Sequence, residues 1–181
     1  MTERVIVAAL KVAPVRTTEA QDFATLRRVE TTAVTLDKAS EKDLDIVRMI
    51  NSSLKNEKHT GFIDEDDMQE VYRWGTIFII KVYGKNAGTI SFRPDRGDDN
   101  TALLRNLAIL PRYQGRGVGT AAVNLIHDTV KELGFEKAKG RIRPENDEVL
   151  HIYKKKGFEV VGKDNCFGDG VERLIIEKRL R

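Results

Sequence analysis

Residues 101–133, TALLRNLAILPRYQGRGVGTAAVNLIHDTVKEL, carry a strand, a glycine-rich turn and a helix in one unbroken run. Leu103, Leu104, Leu107, Ile109 and Leu110 form an apolar segment of strand length, and Pro111, with no N–H to give to a sheet, ends it near Leu110. In Gln114, Gly115, Arg116, Gly117, Val118 and Gly119, the glycines let several backbone N–H groups converge without a Cβ in the way. Val118, Ala122, Leu125, Val130 and Leu133 then recur near helical spacing, with Asn124, His127, Asp128, Lys131 and Glu132 mostly off that stripe, and Gly134 stops the helix. A helix N-terminus has unsatisfied N–H groups and about half a positive charge, so the turn is expected to hold a phosphorylated ligand, with Arg116 adding charge.

Spacing narrows the ligand. A P-loop ends in Gly-Lys-Ser/Thr, and here Gly119 is followed by Thr120 with no lysine to reach outer phosphates. The dinucleotide fingerprint has its third glycine or alanine where Thr120 stands, and it sits tight against its strand, without the Pro-Arg-Tyr-Gln connection found here. A turn that merely joins strand to helix is the plainer alternative. What remains is Gln-x-x-Gly-x-Gly after a strand ending Leu107, Ala108, Ile109, Leu110, Pro111. This closely resembles the acyl-CoA-binding motif of the GNAT superfamily of N-acetyltransferases, which has Arg or Gln, two variable residues, Gly, one variable residue, then Gly or Ala.

The rest of the chain arranges itself around that unit. Thr31–Leu36 reads as a strand, and Ser40 with Asp43 opens a helix carrying Leu44, Val47, Ile50 and Leu54. Asp64, Glu65, Asp66 and Asp67 stand where a second helix begins, before Met68, Val71, Tyr72 and Trp74; they complement its dipole or attract a cationic amine. Thr76–Tyr83 and Ala87–Phe92 flank Gly84, Lys85 and Asn86 as a hairpin, and Pro94–Asn100 reads as a polar loop. Lys137–Ile142 is the strand after the central helix, which requires a right-handed parallel crossover. A helix from Pro144–Glu148 to the lysines before Gly157, then strands Phe158–Val161 and Val171–Leu180 around a loop with Gly168 and Gly170, complete an α/β (α+β) chain. The expected sheet is mixed, mostly antiparallel, with one parallel crossover and flanking helices.

This order resembles the GNAT fold over residues 31–181, leaving 1–30 as an N-terminal extension: an edge strand, a short helix opened by Thr18 and Gln21, or a dimerisation arm that would make the protein a homodimer. A second anchor is Asn146, then Tyr153 seven residues on, then Lys156, Gly157 and Phe158, matching the family's signature on its last helix. The resemblance implies that backbone groups of Leu107, Ala108 and Ile109 hold the pantetheine arm of acetyl-CoA. It implies further that Gln114, Gly115, Arg116, Gly117, Val118, Gly119 and Thr120 form the pyrophosphate cradle and that Asn146 contacts the cofactor. Tyr153 would protonate the departing thiolate; a phenol of pKa about 10 facing a thiol of about 8.5 makes that transfer uphill by only about 2 kcal/mol.

The amine must be neutral to attack. A lysine side chain is about 0.04% neutral at pH 7 and an α-amino group about 14%. Some members of the family supply a carboxylate from the central strand or the strand before the last helix; Leu103 and Arg141 stand at those places here. Bound water, or a remote acid among Glu65, Asp99 and Glu172, is left as base. His59, His127 and His151 are scattered and make no metal site, with His127 read as solvated.

Length and composition bound the rest. A chain of 181 residues suits one domain with a sizeable core. A net charge of +3, from 31 basic and 28 acidic residues, gives no sign of a nucleic-acid partner. The lone Cys166 excludes an intramolecular disulfide, and no apolar run approaches membrane-spanning length, so a cytoplasmic protein is expected. The reading is an acetyl-CoA-dependent N-acetyltransferase that passes its acetyl group to an amine acceptor, small molecule or protein. The alternative is an acyl-CoA-binding sensor or scaffold without turnover.

Overall fold

The computed structural model describes residues 34–54, 64–165 and 170–181. The extension 1–30, residues 31–33 of the first expected strand, His59, Cys166 and Gly168 lie outside the described residues. In chain order the elements are β1 (Val34–Lys38), α1 (Leu44–Leu54), α2 (Glu65–Trp74), β2 (Thr76–Val82), β3 (Lys85–Asp95), β4 (Asp98–Ile109), α3 (Val118–Glu132), β5 (Lys137–Ile142), α4 (Asp147–Lys155), β6 (Glu159–Asp164) and β7 (Arg173–Arg179). The strands form one seven-stranded sheet in the order β1-β2-β3-β4-β5-β7-β6. Only β4 and β5 are parallel neighbours, joined by α3; the other pairs are antiparallel. The mixed, mostly antiparallel sheet with one parallel crossover is the architecture expected from the sequence.

Local chemistry accounts for the element ends. The Ser40 N–H and hydroxyl both donate to the Asp43 carboxylate, at 2.8 and 2.6 Å, opening a short 3-10 turn that runs into α1. Those two hydrogen bonds hold the Asp43 carboxyl below its ordinary pKa. Asp64 caps α2 by accepting from the Asp67 N–H. Tyr83 and Gly84, at φ 49° and 75°, make the two-residue turn between β2 and β3, a geometry that suits the twist of paired strands.

The polar stretch 94–100 is a correction. It is mostly strand: β3 runs to Asp95 and β4 starts at Asp98, leaving Arg96 and Gly97 as the turn. Its charges are matched across strands, Asp95 with Lys139 at 3.0 Å and Asp98 with Lys137 at 3.4 Å, so polarity here does not mean loop. On α3 the buried stripe is Val118, Ala122, Val123, Ile126, Thr129 and Val130, with Leu125 half-buried and Leu133 62% exposed at the C-terminal end. His127 is also a correction: its ring is only 19% exposed, with Nδ1 on Asp128 at 3.1 Å.

The sheet separates two cores. On one face Phe78, Ile80, Ile90, Phe92, Leu104 and Ile176 pack with α3 and with Tyr153 of α4. On the other, Ile77 and Ile79 pack with Leu44 and Val47 of α1 and Met68 and Val71 of α2. Alternation along each strand therefore assigns Leu103 and Arg105 of β4, and Lys139 and Arg141 of β5, to the α1–α2 face.

Where β3 meets the end of β4 the backbones approach closely. A Cβ on Gly88 would lie 2.1 Å from the Ala108 carbonyl oxygen. Gly88→Ala is expected to lower stability by about 3 kcal/mol, the upper end of overpacking effects, as read from urea unfolding midpoints; an unchanged midpoint would show that the strands separate freely there.

Candidate active site

Strands β4 and β5 pair only over Thr101–Leu104 and Lys137–Gly140. Beyond those residues β4 stays on β3 as far as Ile109, while β5 stays on β7 through Ile142. The β5-facing edge of β4 is thus open from Arg105 onward. The β3–β4 register changes between Ser91↔Arg105 and Thr89↔Ala108, placing one extra residue on β4. Asn106 sits in that bulge with φ 56°, a left-handed conformation that asparagine tolerates better than most side chains. Leu107, Ala108 and Ile109, the three residues expected to hold an extended ligand arm, follow the bulge along the edge of β4 that β5 no longer covers.

The glycine turn lies at the end of this edge. Gln114 donates its side-chain amide to the Ile109 carbonyl at 2.7 Å and its backbone N–H to Pro111, which fastens the turn to β4. Gly115 and Gly117 have φ of 67° and 77°, and Gly117 is the residue before α3. The first helical bond at this end runs from Ala121 N–H to the Gly117 carbonyl, so the N–H groups of Val118, Gly119 and Thr120 have no acceptor within the helix. Arg116 is exposed beside them. A Cβ on Gly119 would come within 3.2 Å of Ile152 Cδ1, so this glycine also sets how close α3 lies to α4. Donors, dipole and a cationic side chain converge as a diphosphate requires.

Asn146 and Tyr153 occupy the two ends of α4. The Asn146 side-chain oxygen accepts from the Val149 N–H at 3.3 Å, so this residue is the helix cap whatever else it contacts. Tyr153 is 4% exposed, its ring edge-on to Phe158 at 5.0 Å. Burial pushes its phenol well above the ordinary tyrosine pKa, because no neighbouring charge offsets the loss of solvent. Protonation of a thiolate by this group is therefore uphill by more than the 2 kcal/mol or so of an exposed phenol.

The α1–α2 face of the sheet holds charges that sequence spacing does not expose. Arg105 makes a two-pronged pair with Asp67 of α2, at 2.7 and 2.9 Å, with side chains only 8% and 13% exposed. Glu65 is engaged by Arg48, which holds its carboxyl down at about 2, and Glu70 by Arg96 at 2.7 Å. Its pairing with Arg48 makes Glu65 a weaker base, Asp99 is exposed, and Glu172 is an exposed partner of Lys163. Leu103 is buried, and Arg141 donates its Nε to Asp164 at 2.7 Å.

A buried polar relay lies behind the bulge. Asn51 Nδ2 donates to the Val47 carbonyl and to Thr89 Oγ1, at 2.9 and 3.0 Å, and Thr89 Oγ1 lies 3.4 Å from the Asn106 carbonyl. Asn51 Oδ1 and Asn106 Nδ2 are buried without a hydrogen-bond partner among the described residues. The one sequence signal for this relay was an asparagine inside the apolar stripe of α1.

The family model described as Acetyltransferase (GNAT) family matches residues 45–158. Spermidine N(1)-acetyltransferase of Escherichia coli (strain K12) is 26% identical over 143 residues, 72% of this chain and 75% of that protein. Among solved structures, the ribosomal-protein-S18-alanine N-acetyltransferase from Escherichia coli superimposes with TM-score 0.67 at 20% identity, covering 81% of this chain and 94% of that one. A Bacillus subtilis acetyltransferase in complex with CoA superimposes with TM-score 0.65 at 17% identity, over 82% of this chain and 98% of that one. At these identities the structures establish a shared fold.

Calorimetry should detect acetyl-CoA binding that Gly117→Asp abolishes or weakens at least tenfold, because a carboxylate would enter a site built of N–H donors. Retained affinity in the variant, or tighter binding of NAD than of acetyl-CoA, would remove the turn from the binding site.

Proposed function

The chain belongs to the acetyltransferase (GNAT) family, and from that premise we propose that it transfers the acetyl group of acetyl-CoA directly to a primary amine held in a ternary complex. The observation that carries this reading is the continuity of the open β4 edge with the helix N-terminus of α3. A long ligand with a diphosphate at one end and an amide-rich arm leading to a thioester matches both halves. In this reading the N–H groups of Val118, Gly119 and Thr120, with Gly115, Gly117, Gln114 and Arg116, cradle the diphosphate, and Leu107–Ile109 pair with the arm through their main chain. Asn146 borders the arm from the start of α4. Acetyl-CoA supplies the activated carbonyl; the chain aligns it and excludes water.

Tyr153 is assigned to the leaving group. A raised pKa makes it a weaker acid but keeps it a neutral donor throughout the working pH range. Its contribution is a hydrogen bond that strengthens as negative charge grows on sulfur, with proton transfer completing the step. The names of the relatives, acting on spermidine and on an alanine of ribosomal protein S18, support an amine as acceptor. The second reading, an acyl-CoA-binding module without turnover, draws on the missing carboxylates at Leu103 and Arg141 and on the engagement of Glu65. Transfer to any member of an amine panel separates the two.

Tyr153→Phe keeps the ring against Phe158 and removes the donor. Acetyl-CoA affinity should hold within about twofold while kcat falls by roughly 10²–10⁴. Rates near those of the parent, measured at saturating acetyl-CoA from pH 6 to 9, would leave thiolate protonation to solvent.

Because Leu103 and Arg141 replace carboxylates and Glu65 is held low, the amine enters from its own neutral fraction. Turnover should rise from pH 7 to 9, by up to about tenfold per unit while the acceptor remains mostly protonated. Tyr153 imposes no fall over that interval, since its proton is retained. A flat profile with a lysine side chain as best acceptor would reveal a base elsewhere.

A further inference from the structure

The two positions without a carboxylate differ: Leu103 closes its place with hydrocarbon, whereas Arg141 fills its own with a cation. Arg141 is the first residue of β5 beyond the last β4–β5 pair, on the α1–α2 face, where the strands part. It is 17% exposed. Asp164 of β6 holds it through Nε alone, at 2.7 Å, and its Nη1 and Nη2 have no hydrogen-bond partner among the described residues. A guanidinium clamped at Nε keeps its planar two-nitrogen edge oriented and available, the geometry that accepts a carboxylate on two parallel hydrogen bonds.

The same face is poorly equipped for a polycation. Glu65, Asp67 and Glu70, which could attract one, are joined to Arg48, Arg105 and Arg96 respectively. Lys139, on the same face of β5, is likewise taken up by Asp95 at 3.0 Å, which leaves Arg141 with the cationic edge that faces the parting strands. We propose, resting on the acetyltransfer reading above, that the acceptor carries a carboxylate beside its amine, that is, an α-amino acid, and that Arg141 is its specificity-determining anchor. The assignment also bears on the missing base. In a free amino acid the carboxylate stabilises the adjacent ammonium; pairing that carboxylate with Arg141 withdraws the stabilisation and lowers the amine pKa. The positive residue standing where a base is absent thus enlarges the neutral fraction that must attack. The amine lone pair then adds to the thioester carbonyl, the C–S bond breaks, the departing thiolate takes the Tyr153 proton, and the proton shed by the attacking nitrogen goes to solvent, from which Tyr153 is reprotonated.

The test compares L-amino acids with their own carboxamides, methionine, phenylalanine and lysine among them, under saturating acetyl-CoA. Carboxamides have the lower amine pKa, so chemistry alone favours them. The wild-type protein should nevertheless prefer the acids by at least tenfold in kcat/KM. Arg141→Gln should erase that preference through a rise in KM for acids of tenfold or more, leaving KM for acetyl-CoA and turnover of carboxamides within about twofold. Arg141→Lys, keeping charge without the fork, should fall between and serves if the glutamine variant does not fold. Equal use of acids and carboxamides, or an equal loss on both in either variant, overturns the anchor. Acetylation of spermidine or another panel amine with no amino acid accepted also overturns it while sparing the acetyltransfer reading; failure to bind acetyl-CoA overturns both.

Discussion

Strand β4 keeps one neighbour and gives up the other: that constraint organises the molecule. It stays paired with β3 to Ile109 but with β5 only to Leu104. A strand interior to a sheet ordinarily has both rows of backbone groups satisfied, and an unpaired row invites another extended chain. Here the open row lies inside the sheet, bounded by β5 and continued by the N–H groups that open α3. The bulge at Asn106 bends β4 away, the close approach at Gly88 keeps its far end on β3, and Gln114 ties the following turn to the Ile109 carbonyl.

Charges on the α1–α2 face reinforce the same geometry unequally. Arg48 with Glu65 is largely exposed, and solvent screens such pairs. Arg105 with Asp67 is enclosed, so removing either partner strands a charge, at about 3–5 kcal/mol. The enclosed pair fixes α2 against β4 one residue before the bulge. Helix α2 is therefore tied to the point where the sheet opens; of the acids of its first turn, Glu65 and Asp67 are engaged by arginines and Asp66 is exposed.

Legibility followed from how local each signal was. The turn at Gly115–Gly119, the strand ending before Pro111 and the helix ending at Gly134 are written in neighbouring residues, and the structure has them there. The stretch 94–100 was unreadable as strand because its charges are satisfied by Lys137 and Lys139, far along the chain. His127 has polar neighbours in sequence yet is mostly enclosed, because burial of a helix face depends on what packs against it. The bulge at Asn106 and the relay from Asn51 through Thr89 join three elements, and no window of sequence contains them. The candidate cofactor half of the site is local and backbone-built; the acceptor half is assembled from side chains distant in sequence.

That division explains why the two halves place different demands on the chain. Backbone donors at a helix start and along an open strand edge are fixed by glycine, proline and register, so they tolerate wide change elsewhere, as the common fold at 17–20% identity illustrates. Side chains facing the acceptor are free to vary so long as buried charges keep partners. Leu103, Arg105 and Arg141 show three outcomes on one sheet face: hydrocarbon, a cation held on two nitrogens by Asp67, and a cation held by Asp164 through Nε alone among the described residues. Only the last leaves hydrogen-bonding capacity unspent. Desolvating an unsatisfied guanidinium edge is unfavourable, so a molecule that covers it is favoured where it supplies an anion or leaves water in place.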